Sequence, residues 1–138
     1  MVNYLAVLVC GVASIIIGMV WYSPKGMFGK SWMKLSGLSK MSKKELAAMQ
    51  AKGKQSMVLA FVSSLVMAFV LSHLLSFLNA GTLSQALQTA FWVWLGFIAT
   101  VVLSGVLWEN KPWKLYWINS LYYLALLLAM GAILTVLA

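Results

Sequence analysis

Residues 56–78 read SMVLAFVSSLVMAFVLSHLLSFL, a stretch with no Lys, Arg, Asp or Glu and with His73 as its one ionisable side chain. An α-helix rises about 1.5 Å per residue, so about 20 such residues cross a hydrocarbon core of ~30 Å. The stretch is therefore long and apolar enough to span a membrane. Three others match it, at residues 2–22, 83–107 and 113–137. They are separated by a polar loop (23–55), the uncharged turn Asn79-Ala80-Gly81-Thr82 and the connection Trp108-Glu109-Asn110-Lys111-Pro112. The chain, residues 1–138, reads as one all-α domain of four transmembrane helices.

Composition supports the same class. Hydrophobic residues make up 63% and charged residues 9%, against about 45–50% and about 25% in soluble domains. So little polar surface cannot coat a water-soluble globule, and lipid must be the solvent on most sides. The first span lacks the basic leader and cleavage site of a signal peptide and is expected to be retained. Cys10 is the one cysteine, which excludes an intrachain disulfide or a Cys-based metal site. It is expected to pack as a small residue inside the first helix.

The formal charge of +8 comes from ten lysines, with no Arg. Eight (Lys25, Lys30, Lys34, Lys40, Lys43, Lys44, Lys52, Lys54) lie in the 23–55 loop, and Lys111 and Lys114 flank the second connection on the same side. A nucleic-acid reader would carry Arg forks for bases and phosphates, so no nucleic-acid partner is expected. Lysine confined to membrane-flanking loops instead predicts orientation. By the positive-inside rule the protein sits in the cell membrane as a multi-pass protein, N-out and C-out. The lysine-rich loop is then cytoplasmic, against anionic headgroups.

That loop has its own pattern. Phe28, Trp32 and Leu35 share one face and Lys30 and Lys34 another, predicting a short interfacial helix ended by Gly37. Ser42-Lys43-Lys44-Glu45 has capping-box form and predicts a second short helix through about Lys52, stopped by Gly53. Small residues recur every fourth position in the spans: Ala6, Cys10, Ser14, Gly18; Ser56, Ala60, Ser64, Ala68, Ser72, Ser76, Ala80; and Gly96, Thr100, Ser104. Such stripes let helix backbones approach in lipid. They predict helix seams, some of them between copies, hence a homo-oligomer.

Candidate chemistry is sparse. His73, Gln85, Thr89, Thr100, Ser104, Asn119 and Tyr123 are the polar side chains that a central cavity would use. The alternative is that the hydroxyls and amides bond to neighbouring helices or their own backbone, and that His73 is structural. Glu45 and Glu109, the two acidic residues, are both in loops. No span carries the carboxylate that proton-coupled carriers use. No His/Asp/Glu metal cluster, Ser–His–acid set or phosphate-binding glycine loop is present either. No catalytic residue, metal or cofactor is expected, and the protein is not expected to be an enzyme.

Trp21-Tyr22-Ser23-Pro24, followed by Phe28-Gly29 and Trp32, reads as an anchor. The aromatic rings lie at headgroup depth, and Ser23-Pro24 ends the helix. The same run, Gly18-Met19-Val20-Trp21-Tyr22-Ser23-Pro24 with Phe28-Gly29-Lys30 and Trp32-Met33, resembles the signature of the DUF1761 family of small integral membrane proteins. Asn3-Tyr4-Leu5-Ala6-Val7, Pro112-Trp113-Lys114, Ile118-Asn119, Tyr122-Tyr123 and Met130-Gly131-Ala132-Ile133 are similar to that family too. The resemblance covers nearly the whole chain. It implies four helices in a bacterial or fungal membrane and supplies no substrate, as the family's function is unknown. The family often has a His where Tyr123 stands here, so a role for that imidazole does not carry over. Two functions stay open: a small passive transporter or channel, and a non-transporting protein binding lipid or a partner subunit.

Overall fold

The computed structural model describes residues 2–23 and 26–138, apart from the side chain of Ser39. Pro24, expected to stop the first helix, and Lys25 lie outside the described residues. The chain is an all-α membrane protein with four helices long and apolar enough to cross a bilayer: α1 (Tyr4–Tyr22), α4 (Gly53–Phe77), α5 (Leu83–Trp108) and α6 (Trp113–Val136). Two short helices, α2 (Gly29–Leu35) and α3 (Lys43–Ala51), fill the first connection.

Local chemistry sets the helix ends. Asn3 caps α1 by accepting from the Ala6 N–H (3.2 Å), and its amide donates to the Leu137 carbonyl at 2.6 Å. One side chain thus joins both termini. Gly37, at φ +85°, follows α2 in the left-handed region where glycine is unstrained. Ser42 caps α3 by accepting from the Glu45 N–H (3.2 Å). Gly53 does not act as a stop. Helix α4 begins there, three residues before the expected Ser56, with Lys52 alone between it and α3. Thr82 and Gln85 form a reciprocal capping box at the start of α5, each bond 3.2 Å.

Helix α6 packs between α1 and α5, and α1 packs in turn against α4. The core is built of small and aliphatic side chains: Ala6 and Cys10 of α1, Ala68 and Leu71 of α4, Ala86 and Ala90 of α5, and Leu126, Leu127 and Met130 of α6. Small residues set these distances. A Cβ on Gly131 would lie 3.2 Å from the Ala86 carbonyl oxygen, so α5 and α6 meet backbone to backbone there. The outer surface is apolar, with Leu8, Val12 and Ile16 of α1 and Val62, Val66 and Val70 of α4 exposed. Water would be a poor solvent for that surface, and lipid is a good one.

Helix α5 is not uniform. Residues Trp94–Ala99 form a π-helical stretch, in which the i→i+5 bond inserts one extra residue per turn. Its buried positions step by four through Ala86, Ala90 and Trp94, then by five to Ala99. The stripe Gly96, Thr100, Ser104, expected as a seam, is exposed in this chain. The seam runs along Ala86 and Ala90 instead.

Candidate functional site

The lysine-bearing end of the bundle is organised around three consecutive residues of α6. The Trp21 indole N–H donates to the Ile118 carbonyl (2.9 Å), the Tyr22 hydroxyl to Asn119 Oδ1 (2.8 Å), and the Trp94 indole N–H to the Ser120 carbonyl (2.7 Å). A buried Trp or Tyr needs a partner for its polar tip, and here α6 supplies it from backbone and side chain. Tyr116 returns the contact to α5, its hydroxyl donating to the Ala99 carbonyl at 2.9 Å. That carbonyl closes the π-helical stretch. Ser120 Oγ, fully buried, has no hydrogen-bond partner among the described residues.

The chain beyond α1 folds back onto this clamp. Met27 N–H donates to the Val20 carbonyl (2.9 Å) and Phe28 N–H to the Trp21 carbonyl (3.0 Å), satisfying two of the orphan carbonyls at the helix end. A Cβ on Gly26 would land on the Val20 carbonyl, so glycine permits the return. Phe28 then meets the Trp21 ring at 4.8 Å and Trp32 meets Tyr22 edge-on at 5.3 Å. Tyr122 of α6 lies 5.1 Å from Tyr22 and 5.2 Å from Tyr123. Gly29 is buried at the start of α2.

The anchor motif is therefore also a junction. Its aromatic tips, assigned from sequence to headgroup depth, are bonded to α6. Trp94 is the member that sequence reasoning missed. A Trp in mid-span, far from either interface, already signals an internal acceptor.

Two recesses open at opposite ends. The one at the lysine-bearing end, about 180 Å³, is lined by Ser104, Gly105, Glu109, Lys111, Tyr116 and Asn119, among others. Lys111 and Glu109 approach to 3.9 Å at its exposed rim. The other, about 630 Å³, lies where the termini and the α4–α5 turn meet. Between them α6 runs about 22 Å, from Asn119 to Leu134, past the buried Leu126, Leu127, Met130, Cys10 and Ala68.

Neither recess gathers all seven of the polar candidates. Ser104 and Asn119 share the smaller recess, and Tyr123 meets Tyr122 edge-on at 5.2 Å. Gln85 is occupied as a helix cap. Thr89 and Thr100 donate to the Gln85 and Gly96 carbonyls of their own helix at 2.8 Å, a common use of hydroxyls in helices. His73 is exposed on α4, edge-on to Phe69 at 4.6 Å.

The family described as "Protein of unknown function (DUF1761)" matches residues 5–135, as the motifs imply. No curated protein and no solved structure matches the chain.

Proposed function

The chain belongs to the DUF1761 family, and from its geometry we propose a non-catalytic, non-transporting membrane protein that binds a lipid or a partner subunit. One observation carries this reading: the apolar layer of Cys10, Ala68, Leu126, Leu127 and Met130 between the two recesses. A solute crossing the single bundle would have to leave its water there, and desolvating a polar group without a partner costs several kcal/mol. A passive channel is the second reading. The exposed Gly96, Thr100 and Ser104 favour it only if copies meet along α5, placing the path between them.

The lysine distribution supports a cell-membrane orientation with both termini outside and the 23–55 loop against anionic cytoplasmic headgroups. A homo-oligomer is part of the same proposal, since the outward small-residue stripe suits close helix approach.

Liposome flux with the purified protein decides between the two functions. The binder leaves ion and small-solute leakage at the level of empty liposomes. Protein-dependent flux of any tested solute rejects it.

A further inference from the structure

We infer that the larger recess is a binding site for a lipid with an uncharged, hydroxyl-bearing headgroup, of the diacylglycerol or glycosyl-diacylglycerol type. The inference rests on the binder reading above and names where and what it binds.

The recess measures about 630 Å³, within the ~300–1,000 Å³ of small-ligand pockets. Its walls come from the start of α1, the last turns of α4 and the end of α6. The bond from Asn3 to the Leu137 carbonyl (2.6 Å) ties two of those walls together. Its floor is apolar, formed by the buried Leu75 and Leu134. Beside it the exterior is apolar too, with Phe77 and Val136 strongly exposed.

The polar groups divide into two sets. Asn3 is committed to Leu137 and Ala6, and Thr135 donates to the Gly131 carbonyl (2.9 Å). Ser72, Ser76 and Asn79 also line the recess, and among the described residues their side chains make no hydrogen bond, which leaves them open to a ligand. Ser72 and Ser76 are one helical turn apart, about 6 Å along the axis. Each of the three both donates and accepts, which matches hydroxyls and ester carbonyls.

Charge decides the headgroup. Among the described residues no Lys, Asp or Glu side chain lines the recess, and the described lysines lie in or beside the two connections at the other end of the bundle. A phosphate headgroup would be partly desolvated with no Lys beside it, which is costly. Hydroxyls and esters bring no such penalty. The apolar floor then takes the glycerol and upper acyl carbons, which a free polyol lacks.

The test uses the full chain in detergent and native mass spectrometry. It is offered dioleoylglycerol, dioleoylphosphatidylglycerol, or dioleoylglycerol with excess free glycerol. Ser76→Trp fills the recess from an exposed position, the double variant Ser72→Ala/Ser76→Ala removes two hydroxyls, and Asn79→Gly removes the amide while easing the positive φ of 53°. Melting curves confirm that each variant is folded.

The expected result is retention of dioleoylglycerol by the natural chain, undisturbed by glycerol. Retention should fall roughly tenfold or more in Ser76→Trp and by a similar factor in the double variant. Failure to retain dioleoylglycerol, retention unchanged by Ser76→Trp, stronger recess-dependent retention of phosphatidylglycerol, or displacement by glycerol would each overturn the site. The flux experiment is scored separately. Flux with intact lipid retention removes the binder function and leaves the site, whereas no flux with no retention removes the site alone.

Discussion

The Trp21 indole N–H and the Ile118 carbonyl oxygen meet at 2.9 Å although the two residues are 97 apart in sequence. The carbonyl also belongs to the helical ladder of α6, so Trp21 uses its second lone pair. With Trp94 on Ser120 and Tyr22 on Asn119, α6 is held from α1 and α5 at one level. This junction sets the geometry of the lysine-bearing end.

Trp21→Phe keeps an aromatic ring and removes the donor. Interhelical hydrogen bonds in membranes average about 0.6 kcal/mol, so a small loss of that order is expected in reversible unfolding. Trp21→Ala also removes packing against Phe28 and Tyr122 and should cost about 3–5 kcal/mol. Equal losses would show that the ring contributes little beyond its N–H.

Tyr22 and Asn119 suit a double-mutant cycle. Tyr22→Phe and Asn119→Ala each remove one partner of the 2.8 Å bond. Their coupling should be positive and about 0.6 kcal/mol, with an upper bound near ~1.7 kcal/mol. Strict additivity would mean the bond carries no net energy.

Two glycines should respond oppositely to Ala. At Gly131 the new methyl meets the Ala86 backbone at 3.2 Å, which cannot yield as a side chain can. Gly131→Ala should push α5 from α6 and lose about 1–3 kcal/mol. At Gly96 nothing of the same chain lies within 4 Å, so Gly96→Ala should gain about 0.5–1 kcal/mol in the monomer from reduced backbone entropy, a gain that is lost where copies meet along this stripe. Paired melting curves read both signs.

Ser120→Ala removes a fully buried hydroxyl with no partner. Leaving such a group unsatisfied costs about 1–3 kcal/mol, so the variant should melt above the natural chain. A lower melting temperature would show that Ser120 Oγ makes a bond in the membrane.

The four spans were legible because hydrophobic length alone decides them. The stops around Gly37 and Ser42 were legible because turn and cap chemistry is local. Phase was not. A row of every fourth residue does not say which face is buried: Gly96 lies two positions past the buried Trp94, on the opposite side of the helix, and the π-helical stretch Trp94–Ala99 shifts the period beyond it. Gly53 misled for a related reason: glycine stops a helix only where the backbone turns left-handed, and here α4 starts on it. The clamp was half legible. Trp21, Tyr22 and Asn119 stood out as motif residues, yet their mutual contact depends on tertiary packing across 97 positions. Of the polar candidates, Ser104 and Asn119 share a recess, while Thr89 and Thr100 are satisfied by their own helix and Gln85 is taken by a cap.

The dry layer between the two recesses is the central claim, and Cys10 is a native probe within it. Its side chain is fully buried, with Sγ 3.8 Å from the Met130 carbonyl. The measurement is labelling of the natural chain in sealed liposomes by a charged, membrane-impermeant thiol reagent from each side in turn. Ser76→Cys and Ser104→Cys, each combined with Cys10→Ala, serve as markers of the two recesses. The account predicts that the marker variants label from opposite sides while Cys10 stays unmodified from both. Rapid labelling of Cys10 from either side would place water in the layer and contradict it.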